Sequence, residues 1–400
     1  MAIYYDVAAA VHGRAGLGRY AESLARALFA EHQDDLVLFY NADAATHPLA
    51  GLETAPQRTV RAGYKRWRMQ VWLGQLLHMR FNRLLPGAKL YHATEHLLMP
   101  LPGIPTVLTI HDLIYRLFPR YHKLLNYVYL NLAVPLFCRR ATAIIAVSQA
   151  TRRDLVMHYH IDPAKITVIH EAAAAGFAPQ DPATVSAVRA RYHLPPRYLL
   201  TECVLEPRKN HSRFLTAFEG LSRDQPDLYW VIVGAKGWLY ESFFRQLERS
   251  PARERVVLPG YIQDGDMAAV YSGALAFVFP SIYEGFGLPP LEAMACGTPV
   301  ISSDASSLPE VGGQAARYFD AYDEAHMLDV THSVLADPDL LTEMRQRGLA
   351  QAAGFSWQRA ADETWAVYQT LLPQHRETPS TGQSSACAGG GMPVSAPDSG

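Results

Sequence analysis

Short apolar segments alternate with amphipathic helical patterns along almost the whole 400-residue chain, and this alternation restricts the fold more than any other feature. Strands that alternate with helices form parallel sheets covered by helices on both faces. Strands are predicted at 3–10, 35–40, 90–92, 106–110, 143–147 and 166–169 in the first half, and at 198–203, 229–233, 256–258, 276–279, 300–302 and 316–319 in the second.

Two domains are predicted, because 400 residues exceed what a single hydrophobic core usually serves. The boundary is expected within 171–198, which contains four prolines. We expect an α/β fold of two facing, doubly wound Rossmann-like domains with a cleft between them. The expected segments are an N-terminal domain at 1–180, a C-terminal domain at 196–355, a helix at 356–372 that crosses back to the first domain, and a disordered tail at 376–400.

Charge and cysteine content exclude several protein classes. A formal net charge of −2 argues against a dedicated nucleic-acid-binding protein, which is usually basic. The four cysteines show no paired spacing, which favours a reducing compartment over a disulfide framework. The first residues predict a strand instead of a signal peptide, and no uninterrupted apolar run reaches about eighteen residues. A cytoplasmic location is therefore expected.

The segment 277–295 carries the strongest chemical signal. An apolar strand leads into a loop with Glu284, Gly285 and Gly287, and two prolines then start a helix whose first turn should hold Glu292. There the helix dipole would favour the ionised carboxylate. Open α/β sheets bind ligands at this edge, and carboxylates can accept hydrogen bonds from a ribose or a sugar. The alternative is a helix residue and a solvated loop residue without a functional role.

Two adjacent cations follow the first strand of the second half. Arg208 and Lys209 precede a helix that is expected to begin near His211. An arginine fork and a lysine point charge can together neutralise a diphosphate. A solvated surface pair is the simpler alternative.

A glycine-rich segment, Gly13 to Tyr20, follows the first strand. Gly16 and Gly18 would let backbone N–H groups approach a phosphate at a helix N-terminus. Together with Asp43, the same glycines also satisfy the dinucleotide-binding fingerprint. An NAD-dependent oxidoreductase is therefore an alternative function.

These segments resemble the retaining GT-B glycosyltransferases of family four. Glu284 and Glu292 have the spacing of the family's E-x7-E motif. The resemblance extends over nearly the whole chain before the tail, and it implies sugar transfer from a nucleotide donor. Other segments similar to the family are 16–20, 109–113, 201–210, 295–301 and 308–310.

The resemblance implies roles for residues of the second half. Glu292 would hold the ribose, and Glu284 would face the donor sugar. The loop residues beside that sugar would be Gly285, Phe286 and Gly287.

Lys209 would bind the donor diphosphate by the same resemblance. Relatives often carry an arginine six residues earlier, where this chain has Cys203. Either Arg208 substitutes for it, or the chain belongs to a subgroup with its own version of this loop.

In the first half, the resemblance places Gly16 and Gly18 along the cleft beside the diphosphate. His111, at the end of a predicted strand, would lie next to the anomeric carbon. His111 and Glu284 are thus the catalytic candidates, with His111 otherwise explained as a turn histidine. Ser148 is expected to cap a helix.

The predicted reaction moves a hexose from a nucleotide sugar to a glycan or polyprenyl-diphosphate-linked hydroxyl, with retention. Similarity to mannosyltransferases of bacterial surface-polysaccharide assembly favours GDP-mannose. Asp264 and Asp266 have the spacing of the metal-binding D-x-D motif of other glycosyltransferases. Asp266 is, however, predicted to be a helix N-cap, and no other cluster has metal-ligand spacing. The reaction should therefore need neither metal nor cofactor. A GT-B epimerase, a nucleotide-sugar hydrolase and a catalytically silent binding protein remain alternatives.

No acidic residue occurs between Glu53 and Glu95. Basic residues in this interval are interleaved with aromatic ones such as Trp67 and Trp72. The segment 58–89 suits an anionic membrane surface or a pyrophosphate-bearing lipid acceptor, and a solvated basic helix is the alternative. Peripheral contact with the inner face of the cell membrane is therefore expected.

Overall fold

The computed structural model describes residues 2–42, 46–121 and 123–372. Within these residues the chain forms a seven-stranded and a six-stranded sheet, and every strand pairing is parallel. This confirms the predicted α/β class. Asp43 of the dinucleotide fingerprint and the predicted tail at 376–400 lie outside the described residues.

The first sheet has the strand order β3-β2-β1-β4-β5-β6-β7, so the chain reverses its direction of growth beside β1. Its strands are β1 Ala2–Asp6, β2 Leu36–Ala42, β3 Gln57–Arg61, β4 Ala88–Ala93, β5 Thr106–Ile110, β6 Ala143–Ala146 and β7 Ile166–Val168. The helices of this half are α1 Ala8–Val11, α2 Ala15–His32, α3 Tyr64–Leu76, α4 Ile114–Leu117, α5 Leu124–Arg140 and α6 Gln149–Tyr159.

The second sheet has the order β10-β9-β8-β11-β12-β13 and repeats this reversal beside β8. Its strands are β8 Tyr198–Glu202, β9 Tyr229–Val233, β10 Val256–Gly260, β11 Ala276–Phe279, β12 Val300–Ser303 and β13 Ala316–Phe319. The helices are α7 Pro182–Arg191, α8 His211–Asp224, α9 Glu241–Arg249, α10 Asp264–Ser272, α11 Leu288–Ala295, α12 Leu308–Gly312, α13 Glu324–Leu335, α14 Pro338–Ala353 and α15 Trp357–Leu371.

Two elements of the first half differ from the sequence prediction. The strand predicted at 3–10 ends at Asp6, whose carboxylate accepts a hydrogen bond from the Ala8 amide at 2.8 Å and so turns the chain into α1. The edge strand β3 was not predicted, because most of its residues are exposed and polar.

The last helix, α15, packs against α2 of the first half. Trp365 stacks on His32 with ring centroids 3.5 Å apart, and the Tyr368 hydroxyl is hydrogen-bonded to His92 Nδ1 at 2.5 Å. Tyr368 is fully buried. No helix among the described residues has the length and apolarity that crossing a membrane requires.

Candidate active site

Glu284 follows β11 and binds both predicted cations. Its Oε1 lies 2.7 Å from Lys209 Nζ and 2.7 Å from Arg208 Nη1, and it accepts a hydrogen bond from the Ser281 hydroxyl at 2.6 Å. Burial tends to raise the pKa of Glu284, but Arg208 and Lys209 outweigh this effect and lower it to about 2. Glu284 is therefore ionised at neutral pH.

Arg208 and Lys209 are buried, so they are not a solvated surface pair. Arg208 donates to the Tyr283 carbonyl at 2.7 Å and also pairs with Glu206. Its Nε is buried and has no hydrogen-bond partner among the described residues. The cluster thus retains at least one unused donor beside its ionised carboxylate.

Cys203 occupies the position where relatives often carry an arginine. It is buried, and its Sγ lies 3.2 Å from His211 Nε2 at the start of α8, as predicted for the beginning of that helix. Burial raises the pKa of the Cys203 thiol well above its ordinary value. The thiol is therefore neutral, and Arg208 is the second cation beside Lys209.

Glu292 is the fifth residue of α11, not a first-turn residue as predicted. Its carboxylate accepts hydrogen bonds from Arg19 Nη1 at 2.7 Å and from the Tyr271 hydroxyl at 3.3 Å. Burial raises the pKa of Glu292, whereas the charge of Arg19 lowers it, and burial prevails. The expectation that the helix dipole would favour the ionised form was therefore wrong.

Arg19 was missed by sequence reasoning, although it lies inside the glycine-rich segment. The sequence pattern had assigned roles in this segment to Gly16 and Gly18 only. In the structure, Gly16 and Gly18 belong to the first turn of α2, which begins at Ala15. A Cβ on Gly18 would lie 3.0 Å from the Ala9 carbonyl, so this glycine lets α2 pack against α1, while Gly16 has open space around it.

His111 lies directly after β5, and both of its ring nitrogens contact acceptors. Nδ1 is 3.0 Å from Glu171 Oε1, and Nε2 is 3.0 Å from the Thr94 carbonyl oxygen. Burial lowers the pKa of His111, but Glu171 outweighs burial and raises it. A ring with two acceptors is best satisfied when both nitrogens carry a proton. Glu171 was not recognised from the sequence.

Gly285 joins the two halves through direct backbone contact. A Cβ at this position would lie 2.0 Å from the His111 carbonyl oxygen, so only glycine fits. The Gly285 carbonyl accepts a hydrogen bond from the Ser148 hydroxyl at 2.6 Å. Ser148 also caps α6, as predicted, by accepting from the Thr151 amide at 3.0 Å.

Glu310 makes a second contact across the cleft. Its carboxylate accepts from the Gln149 amide at the N-terminus of α6, at 2.9 and 3.0 Å, and from His170 Nε2 at 2.6 Å. Burial tends to raise the pKa of Glu310, but the hydrogen bonds from His170 and Gln149 outweigh it and lower it. The carboxylate thus holds the second half against a helix of the first.

Phe286 and Gly287 complete the loop before α11. Phe286 packs in the apolar cluster that it shares with residues of the first half, and Gly287 has a φ of +122° that disfavours other residues. The structure thus places the whole loop between the two sheets.

The prediction for Asp266 was wrong. Helix α10 begins at Asp264 with Gln263 as its N-cap, so Asp266 lies within the first turn. Its carboxylate accepts from Arg191 Nη1 and the Tyr192 hydroxyl, both at 2.7 Å. Among the described residues, no group of three His, Cys, Asp or Glu side chains is placed to hold a metal ion.

Known proteins are similar to this chain over most of its length. Residues 193–351 match the family described as glycosyl transferases group 1, and residues 14–173 match glycosyltransferase family 4. O-antigen chain mannosyltransferase B of Escherichia coli is 30% identical over 371 residues, which are 89% of this chain and 96% of that protein.

Two further comparisons extend this result. Serotype-specific mannosyltransferase WbdA of Escherichia coli is 32% identical over 249 residues, which are 60% of this chain and 30% of that protein. The crystal structure of Anabaena Alr3699/HepE in complex with UDP and glucose superposes with a TM-score of 0.71 at 18% identity, covering 92% of this chain and 100% of that one. The fold is thus that of the GT-B enzymes, and the chain belongs to the group 1 glycosyltransferases with a family 4 N-terminal region.

Proposed function

We propose that this enzyme transfers mannose from GDP-mannose to a hydroxyl of a glycan or of a polyprenyl-diphosphate-linked acceptor. The transfer retains the anomeric configuration, requires no metal or cofactor, and takes place in the cytoplasm at the inner face of the membrane. The observation that carries the proposal is the buried cluster of Arg208, Lys209 and Glu284, which the Gly285 contact holds against the His111 backbone.

The two cations of this cluster suit a departing diphosphate. Lys209 uses one of its ammonium donors on Glu284, and the Arg208 Nε has no protein partner among the described residues. Preorganised donors in a buried site stabilise charge that develops in the transition state far better than solvated ones do. The two cations, already fixed beside Glu284, can therefore stabilise the negative charge of the leaving group.

Glu284 is better suited to orienting the donor sugar than to attacking it. Two cations and the Ser281 hydroxyl bind its carboxylate, and a pKa of about 2 makes it a weak nucleophile. We therefore assign no covalent intermediate. The acceptor oxygen forms its bond to the anomeric carbon as the bond to the diphosphate oxygen breaks, and the acceptor proton passes to that departing oxygen.

His111 is assigned an orienting role for a similar reason. With both ring nitrogens directed at acceptors, it has no free lone pair with which to accept a proton. With both nitrogens protonated, the ring carries a positive charge beside the Gly285 loop, where it can stabilise the departing diphosphate. Glu292 is assigned to the ribose, and its contact with Arg19 must rearrange to expose the carboxylate.

The choice of mannose rests on the similarity to O-antigen chain mannosyltransferase B and serotype-specific mannosyltransferase WbdA, both of Escherichia coli. The glycan acceptor rests on the same relatives. Family membership removes the NAD-dependent oxidoreductase as an alternative. A nucleotide-sugar epimerase, a hydrolase and a silent binding protein are the alternatives that the experiment must separate.

A thermal-shift screen against GDP-, UDP-, ADP- and TDP-sugars tests the donor, because a ligand that binds the native state raises its melting temperature. GDP-mannose is expected to give the largest shift. Mannosyl transfer to a synthetic lipid-linked glycan is then followed by NMR of the anomeric proton, with and without EDTA. Inversion, loss of activity in EDTA, or product without an acceptor would contradict the proposal.

A further inference from the structure

Exposed apolar side chains are concentrated on one surface of the first half. Of the fourteen large hydrophobic residues that are exposed among the described residues, nine lie on α3, on α5 or in the turn after α3. Leu77 and Leu125 are the extreme cases, at 69% and 87% exposed. The nine residues are Met69, Leu73, Leu76, Leu77, Met79, Leu124, Leu125, Val128 and Leu132.

Their spacing gives each helix an outward apolar stripe. In α3, the residues at 69, 73, 76 and 77 follow helical spacing, while Trp67 and Val71 on the opposite side are buried. In α5, the residues at 124, 128 and 132 repeat every fourth position. Helix α3 therefore has two apolar sides, and only one is needed for the core.

Contacts between the helices combine the two stripes into one surface, which we call the α3–α5 face. Arg68 donates to Asn126 Oδ1 at 3.1 Å, and the rings of Trp72 and Tyr129 meet edge to face at 5.9 Å. Beyond the end of α3, Arg140 lies 2.7 Å from His78 Nε2. The two helices thus run side by side in the same direction.

The same surface is strongly basic. Each helix lies in a segment without any acidic residue, 54–94 for α3 and 113–153 for α5. These segments contain fifteen of the 36 lysines and arginines and none of the 38 acidic residues of the chain, so the remainder is strongly acidic. Exposed cations flanking the apolar stripes are Lys65, Arg66, Lys123, Arg139 and Arg140.

We propose that the α3–α5 face docks on a membrane that contains anionic phospholipids. Its leucines and methionines would enter the boundary between head groups and acyl chains, and the flanking cations would attract the head groups. A second copy of the chain is a poorer occupant, because self-association would bring two positively charged surfaces together. The α3–α5 face thus adds helix α5 to the basic segment 58–89 that the sequence pattern singled out.

Sedimentation of the full chain with vesicles tests this proposal. We expect binding to phosphatidylcholine vesicles that contain phosphatidylglycerol, little binding to phosphatidylcholine alone, and weaker binding at high salt. The double variant Leu73→Asp/Leu125→Asp should lower the partition coefficient by about tenfold or more, because two charges would enter an apolar environment. Lys65→Gln/Arg66→Gln should weaken binding to the anionic vesicles only.

Met157→Asp is the control, since Met157 is 64% exposed but lies on α6 and is not one of the nine residues. Before the vesicle assay, each variant must show the wild-type melting temperature and the wild-type increase of that temperature on donor binding. This control separates membrane docking from folding and from the proposed transferase activity. Vesicle binding that is unchanged in Leu73→Asp/Leu125→Asp would overturn the proposal. So would size-exclusion chromatography in which the same variant converts a dimer into a monomer.

Discussion

Two groups of polar site residues, one in each half of the molecule, are held in different ways. In the second half, Arg208, Lys209 and Glu284 are buried and bind one another within a single loop cluster. In the first half, Arg19 and Ser148 direct their side chains across the cleft to acceptors of the other half. One set is therefore complete by itself, whereas the other finds its partners only where the halves meet.

This difference predicts that the two groups affect different quantities, one donor affinity and the other turnover. Charges that are already buried and paired cost little further desolvation when a ligand binds, so the cluster of Arg208, Lys209 and Glu284 should bind the donor diphosphate with little rearrangement. Contacts that only bridge the cleft, such as the one between Ser148 and Gly285, depend on its closure and should affect turnover more than donor affinity. Variants in the two halves can test this separation.

The largest expected effect is on donor binding in Lys209→Ala. The variant removes the ammonium group that is proposed to bind the donor diphosphate. Removing one partner of a buried, hydrogen-bonded charge pair costs about 3 kcal/mol, so donor affinity should fall roughly 100-fold or more. Isothermal titration calorimetry with GDP-mannose measures the change. Arg347→Ala, which removes an exposed cation paired with Glu343 on α14, should leave affinity unchanged. Equal affinities of Lys209→Ala and the wild type would remove the cluster from the donor site.

The second variant, Gly285→Ala, should lower turnover more than binding. A Cβ at 285 would meet the His111 carbonyl at 2.0 Å, so the halves would have to separate. A displacement of about 1 Å can cost about 100-fold in rate, whereas donor affinity should change less than about tenfold. Steady-state kinetics and calorimetry on the same protein give both values.

Gly265→Ala is the control for this substitution, because no atom lies within 4 Å of the position of its Cβ. It should resemble the wild type in both measurements. If Gly285→Ala instead lost donor affinity and kept its turnover at saturating donor, the proposed separation between the halves would be wrong.

Local sequence patterns were sufficient for most of the fold. The buried strands were predicted because each is a continuous apolar run, such as β5 and β11, and the structure confirms both with their predicted bounds. The edge strand β3 was missed because an exposed, polar strand has no such run. The turn from β1 into α1 depends on the Asp6 carboxylate, which a periodicity argument does not include.

The site was predictable only where its residues are close together in the sequence. The E-x7-E spacing identified Glu284 and Glu292, but the pairing of Glu292 with Arg19 joins residues that are 273 positions apart. Glu171 was not identified for the same reason, because it contacts His111 only through the order of β5, β6 and β7 in the sheet. Burial also reversed the expected pKa shift of Glu292, and burial cannot be read from one helix.

The third prediction concerns pH and Arg19→Ala. Burial raises the pKa of Glu292 and Arg19 opposes that rise, so removal of Arg19 should raise the pKa further. An ionised Glu292 is the form that accepts from ribose hydroxyls. Donor affinity should therefore fall as pH decreases through this pKa, and the midpoint of the fall should lie at higher pH in Arg19→Ala.

Calorimetry between about pH 5.5 and about pH 8.5 covers this transition for a buried carboxyl with a raised pKa. Glu292→Gln should lack the transition, which distinguishes it from a titration of His111. Arg26→Ala removes an exposed arginine of the same helix and should keep the wild-type midpoint. An unchanged midpoint in Arg19→Ala would show that Arg19 does not act on Glu292 in solution.

The smallest expected effect is that of Ser148→Ala. This variant tests whether Ser148 serves only as the N-cap of α6 or also as a contact between the two halves. Loss of an N-cap costs about 1 kcal/mol of unfolding free energy, and Ser356→Ala, which uncaps α15, should cost about the same. Only Ser148 also donates to Gly285, so only Ser148→Ala should reduce turnover, by a few-fold. Equal turnover in the two variants would mean that the 2.6 Å contact between Ser148 and Gly285 contributes nothing to closure.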